Sequence, residues 1–148
     1  MASTSDDLLE LDQQVCFALA VASRNVIAMY RPILEPLGLT HPQYLVMLAL
    51  WGKAPIRFGE IADLLRIDPA TLSPLVRRLE QAGLVERQPV AGDERTFELV
   101  PTRSGRELRE RALGVPPAII ARLGMSIDRL VALRNELTAV IAATDDLG

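Results

Sequence analysis

One cysteine and one histidine occur among 148 residues. Cys16 therefore has no partner for an intrachain disulfide, and with His41 it makes too small a set for a metal site. One histidine also serves no evident Ser/His/Asp arrangement, and there is no glycine-rich phosphate loop. No metal, no cofactor and no enzymatic activity are expected. Aromatic residues make up only 4% of the chain, so the core must come from Leu, Ala and Val, which favours helices packed on helices. No apolar run approaches the roughly 20 residues that cross a bilayer. The opening "MASTSDDLLELD" lacks the basic start and apolar stretch of a secretory signal; no membrane partner and a cytoplasmic location are the expectation. Basic excess is missing too. The formal charge is −3, and from Arg66 to Arg103 six Arg face six Asp or Glu. Any nucleic-acid binding must rest on where arginines stand, not on overall charge.

What is present is about one domain's worth of amphipathic segments. Residues 6 to 30 read as a first helix, with Leu8, Leu11, Val15, Leu19, Ala22, Val26 and Met29 at spacings of three and four. "YRPILEPLG" breaks it through Pro32, Pro36 and Gly38. Thr40 and Gln43 have the spacing of a capping box, and Pro42 suits a first turn. "HPQYLVMLALW" is apolar almost all round, which places that helix centrally and Tyr44 in the core. "GKAPI" reads as a connector. "RFGEIADLLR" is a short amphipathic helix carrying Ile61, Leu64 and Leu65.

A helix over 68–82 follows, with Asp68 to cap it, Pro69 at its first position and Gly83 past its end. Its buried face is Leu72, Leu75, Val76 and Leu79, and Pro74 falls early enough to be tolerated. "LVERQPV" and "TFELVPT", separated by "AGDER", read as a β-hairpin. Thr102 or Ser104 starts a charged helix that Pro116 and Pro117 interrupt. Ser126 caps a last helix with the stripe Leu130, Leu133, Leu137 and Val140. Two short helices, then a hairpin, flanked by helices, is the order of a winged helix-turn-helix. The outer helices carry more apolar surface than so small a domain needs, which fits a dimer interface.

Helix 68–82 takes the place of a recognition helix. Ala70, Thr71, Ser73 and Pro74 are its early exposed residues: hydroxyls can bond base edges or phosphates, and small apolar groups can touch thymine methyls. Arg77 and Arg78 follow, able to hold phosphates or a guanine. The hairpin tip "GDERT" offers Arg95 to a minor groove, with Asp93 to orient its guanidinium and Glu94 between them. The blander alternative is a helical hairpin with a solvated arginine face and an ordinary turn. Cys16 lies beside the main stripe of the first helix, on a second stripe with Leu9, Ala20, Ser23, Ile27 and Tyr30. Tyr30, 14 residues on, is about 21 Å away at 1.5 Å per residue, so it cannot reach the thiol of its own helix. A buried, inert cysteine is the alternative.

"CFALAVASR", "YRPILEPLGLTHPQYLVMLALW", "TLSPLVRRLEQAGLVER" and "GDERTFELVPT" together resemble the MarR family of bacterial winged-helix repressors, and within it the organic-hydroperoxide-responsive, OhrR-like branch. The likeness runs over about residues 11 to 115. It implies a mainly α fold with a small β-hairpin: one domain over 1–148, with dimerisation helices at about 6–36 and 104–146 and a DNA-binding lobe at about 40–102. It implies a homodimer on a pseudo-palindromic double-stranded operator. Cys16 falls where the branch has its peroxide-sensing cysteine, and Tyr30 matches a tyrosine that hydrogen-bonds that cysteine across the dimer. Two further family tyrosines are replaced here by Ala20 and His41; a protonated His41 would favour a thiolate. With no second cysteine the chain resembles the one-cysteine type, which draws on an external small thiol. The expected function is a repressor that leaves its operator when Cys16 is oxidised by organic hydroperoxide. Two rivals stand beside it: a repressor controlled by a small aromatic ligand with Cys16 inert, and a thiol peroxidase using Cys16.

Overall fold

The computed structural model describes residues 5–145, and the side chains of Leu8, Leu11 and Glu94 named above lie outside what it describes. The elements in order are α1 (Ser5–Leu34), a 3₁₀ turn (Glu35–Leu37), α2 (His41–Lys53), β1 (Ile56–Arg57), α3 (Phe58–Leu65), α4 (Pro69–Gln81), β2 (Val85–Val90), β3 (Asp93–Pro101), α5 (Arg103–Ala112), α6 (Val115–Leu123) and α7 (Ile127–Asp145). They group into two compact units divided between Leu113 and Gly114.

In the first unit, α1 runs four residues beyond the expected stop, through Pro32. A proline this close to a helix end removes one donor and disturbs one carbonyl, and only two residues of ladder remain to be lost. The chain then turns on Gly38, at φ 73°, whose N–H donates to Glu35 O at 2.9 Å. The Arg111 guanidinium ties this turn to α5 by donating to Pro36 O at 2.6 Å.

Both halves of the capping box at the start of α2 form: Thr40 N–H donates to Gln43 Oε1 at 2.9 Å, and Gln43 N–H to Thr40 Oγ1 at 3.4 Å. Tyr44, Val46, Met47 and Leu50 are buried, and α2 packs on α1, α3, α4, α5 and β3, the central position its all-round apolar sequence predicts.

The sheet has three strands in the order β1-β3-β2, all antiparallel, where the sequence points to a two-stranded hairpin. The extra strand comes from the end of "GKAPI" and the following arginine: Ile56 pairs with Leu99 and Arg57 with Glu98. Two residues are too few to show alternation, and the pairing partner lies some forty residues away. Ile56 and Leu99 are both buried.

At the start of α4, Asp68 holds the cap position but its side chain makes no capping bond. Its carbonyl instead accepts from Thr71 N and Leu72 N. Leu72, Val76 and Leu79 are buried, while Leu75, expected with them, is only half-buried. Gly83 ends the helix at φ 75°.

Of the two candidates for the start of α5, the structure selects Thr102. Its Oγ1 accepts from Gly105 N–H at 3.1 Å and donates to Gly83 O at 2.6 Å, and its own N–H donates to Leu84 O at 3.0 Å. One residue thus joins the end of α4, the start of β2 and the start of α5. Gly105 lies so close that a Cβ there would collide with Leu84 O and press on Pro101 Cβ. Trp51 Nε1 donates to Gly105 O at 2.9 Å, which brings α2 into the same junction.

The second unit is α6 and α7. Pro116 and Pro117 fall in the first turn of α6, so beyond the end of α5 at Ala112 they begin a separate helix that the sequence reading does not name. Ser126 Oγ accepts from Arg129 N–H at 3.2 Å, the expected cap of α7. No described residue of α7 is buried; Leu133 and Val140 of its stripe are exposed and Leu130 and Leu137 half-buried.

Gly105→Ala is expected to destabilise the fold by about 1–3 kcal/mol, the usual cost of forced overpacking, because the obstructing atom is a backbone carbonyl. Chemical denaturation of the two proteins measures this; equal midpoints would show that the junction relaxes freely.

Candidate nucleic-acid interface and thiol site

Burial of Leu72, Val76 and Leu79 fixes which side of α4 faces outward. Ala70, Thr71, Pro74, Arg77 and Arg78 are exposed and Ser73 is half-buried. Ala70, Pro74 and Arg78 stand four apart and form one outward stripe, flanked by Thr71 and Arg77. Pro74 has no N–H to give the Ala70 carbonyl, so the stripe also carries a backbone acceptor. The packing places every named side chain of this set on the outward half of one helix.

The wing is β2 and β3, joined at Gly92 with φ 83°. Asp93 and Arg95 at its tip are exposed. Asp93 Oδ1 accepts from the backbone N–H of Arg95 at 3.0 Å. This corrects the expectation that Asp93 orients the Arg95 guanidinium: the carboxylate shapes the turn. That N–H above all holds the Asp93 carboxyl below the usual carboxylate range.

Cys16 is exposed, as is every residue from 14 to 20. The set includes Val15, Leu19 and Phe17, the last 67% exposed. The thiol therefore lies in an apolar stretch of helix surface. Tyr30 is placed elsewhere: α1 is one continuous helix, and the rise of 1.5 Å per residue puts Tyr30 about 21 Å further along it. The Tyr30 ring meets His41 edge-on at 4.8 Å between centroids, and Tyr44 at 5.9 Å. The structure thus joins Tyr30 and His41, adds Tyr44, and leaves Cys16 apart from them within one chain. Burial pushes His41 below its ordinary value and Tyr44 above its own, the latter helped by Tyr30. Burial thus disfavours the protonated imidazole of His41. The protonated His41 considered from the sequence is not the form this packing favours. Beside it opens a cleft of about 490 Å³, lined by Ile27, Ala28, Arg31, Leu39 and His41 among others. Among the described residues no group of His, Cys, Asp or Glu is placed to hold a metal ion, and no described helix is long and apolar enough to cross a membrane.

The MarR family profile matches residues 39–97. The chain is 33% identical over 135 residues to the organic hydroperoxide resistance transcriptional regulator of Bacillus subtilis, spanning 91% of this chain and 92% of that one. It is 36% identical over 147 residues to the regulator TtmR of Methylorubrum extorquens, spanning 95% and 75%. The chain belongs to the MarR family. Its fold matches reduced AbfR of Staphylococcus epidermidis bound to DNA, with a TM-score of 0.78 and 29% identity over 95% of this chain and 98% of that one. Overoxidized AbfR, also bound to DNA, matches with a TM-score of 0.77. This MarR-family protein is a DNA-binding, winged-helix regulator of transcription. Its relatives are named as regulators, not enzymes, which sets aside the thiol peroxidase.

The lowered His41 value has a testable sign. Protonation costs more in the folded chain than in the unfolded one, so stability is lost as pH falls through the ordinary histidine value of about 6.5. Between about pH 7.5 and about pH 5.5, wild type should lose more unfolding free energy than His41→Gln. Parallel losses in urea titrations would mean that His41 takes up its proton without penalty.

Proposed function

We propose that this MarR-family regulator is a cytoplasmic homodimeric repressor whose operator binding is switched by oxidation of Cys16 with organic hydroperoxide. The observation that carries the reading is the placement of the chain's one thiol, exposed on an apolar stretch of α1. The likeness to a regulator named for organic hydroperoxide resistance supports it. Exposed Val15, Phe17 and Leu19 on α1 would be covered by a second copy. Tyr30 of that copy would then be the tyrosine that approaches the thiol, since the helix length forbids an approach within one chain.

In the reduced state α4 would enter the major groove. Thr71 and Ser73 would meet base edges or backbone, Ala70 and Pro74 thymine methyls, and Arg77 and Arg78 phosphates or a guanine. Arg95 would reach the minor groove from the wing, on the turn that Asp93 shapes. Two copies would read two half-sites of a pseudo-palindrome. For the switch, the Cys16 thiolate attacks one peroxide oxygen. The O–O bond breaks, the alcohol leaves with a proton, and a sulfenic acid remains. A small thiol then condenses with it, releasing water and forming a mixed disulfide. Overoxidized AbfR is found on DNA, so release here is assigned to the bulk of the mixed disulfide against the dimer contact, not to higher oxidation alone.

The cleft beside His41 favours a second reading, a repressor controlled by a small aromatic ligand, with Arg31 available for a carboxylate and Cys16 inert. Intact mass and DNA binding after treatment with cumene hydroperoxide, with and without a small thiol, separate the two.

Cys16→Ser should bind its own promoter duplex as wild type does and stay bound after hydroperoxide and thiol. If it is released like wild type, the redox reading is wrong. Arg95→Ala should weaken binding and lower the salt slope by about one. An unchanged slope would place the wing off the DNA. Thr71→Ala and Ser73→Ala should each cost about 1–3 kcal/mol of discrimination between promoter and mixed-sequence DNA if a base edge is met. An equal fall on both duplexes would limit the hydroxyls to the backbone.

A further inference from the structure

The sequence gives no special place to Arg87, yet it makes the densest set of side-chain bonds between α4 and the wing. Its Nε donates to Glu80 Oε1 at 3.2 Å and Oε2 at 3.1 Å, and its Nη2 donates to Oε1 at 3.1 Å. On its other side the guanidinium carbon lies 4.4 Å from the centre of the Phe97 ring. Glu80 is in the last turns of α4, Arg87 on β2 and Phe97 on β3, so one planar group spans the recognition helix and both strands of the wing. The Glu80 side chain is 27% exposed and that of Arg87 46%, so solvent screens the pair in part and its geometry matters more than its charge. A bidentate fork with a ring behind it holds a guanidinium in one orientation.

Glu80 has a second potential partner. Arg77 stands three residues earlier on the same helix, the spacing at which an acid and a base meet. Glu80 bonds Arg87 and not Arg77, and Arg77 stays exposed on the outward side of α4.

We propose that Arg87 is a positioning residue for DNA binding: clamped between Glu80 and Phe97, it fixes the wing against α4 and keeps the Glu80 carboxylate off Arg77, without itself touching DNA. The inference rests on the reading that Arg77 meets DNA. Removing the Arg87 charge frees Glu80 to turn back and neutralise Arg77, so a second substitution at Glu80 should undo part of the damage.

The test compares wild type, Arg87→Met, Glu80→Gln and the double variant. The probes are the duplex of the protein's own promoter and a mixed-sequence duplex, each titrated at several salt concentrations, with thermal melting alongside. Arg87→Met should weaken promoter binding about three- to tenfold and lower the salt slope by about one. Adding Glu80→Gln should bring the slope back to the wild-type value. If the slope stays low in the double variant, and Glu80→Gln alone tightens binding, Arg87 is itself a phosphate contact and the proposal is overturned. It is equally overturned if Arg87→Met melts earlier but binds with wild-type affinity and slope, a purely structural clamp. Should Arg87→Met not fold, Arg87→Lys, which keeps the charge but loses the fork, is expected to retain the wild-type slope with weaker promoter binding. A wild type that binds neither duplex overturns the DNA-binding reading itself, and this inference with it.

Discussion

The close approach of Gly105 to the Leu84 carbonyl is the constraint on which the DNA-binding lobe depends. At that point the end of α4, the start of β2 and the start of α5 share one residue, Thr102, through bonds to Gly83, Leu84 and Gly105. Trp51 adds α2 by its bond to Gly105 O. A side chain on residue 105 would push these elements apart. Because both the helix proposed to read the major groove and the strand leading to the wing leave from this junction, their separation is set here. The Glu80–Arg87–Phe97 contacts also join the last turns of α4 to both strands of the wing. Two separate contacts, one of backbone packing and one of charge, thus tie α4 to the wing.

The thiol sits under the opposite regime. Where the lobe is fixed by contacts within the chain, residues 14 to 20 of α1 have every side chain exposed, and their apolar area calls for a partner surface. On the proposed reading, a thiol on a surface that a second copy covers would transmit a small change in bulk to the dimer, because packed interfaces admit few arrangements. The polar cluster of Tyr30, His41 and Tyr44 lies about 21 Å further along by helix rise. Burial there disfavours a cationic His41.

Much of this was legible in the residue order. The capping box at Thr40 and Gln43, the stop at Gly83, the cap at Ser126 and the outward set on α4 are all local in sequence, and each forms or faces as its spacing implies. The features that were not legible have partners far away. Ile56 becomes a strand because Leu99 lies across from it. Gly105 reads as an ordinary helical glycine until Leu84 O is placed against it. Arg87 is one of many arginines until Glu80 and Phe97 close on it. Asp68 and Asp93 erred in the other direction: each is a residue type suited to the expected bond, but backbone groups nearer at hand were satisfied differently.

The sequence by itself determined most of the helices, the hairpin, the buried face of α4, the lone thiol and the family. These follow from spacings of two to four residues and from the identity of single side chains. Tertiary structure alone decided the third strand, the Thr102–Gly105 junction, the Arg87 clamp and the burial that lowers the His41 pKa. The physical reason is common to all four. Each depends on the distance between groups brought together by folding and on the water they lose there, and neither quantity is contained in the local order of residues.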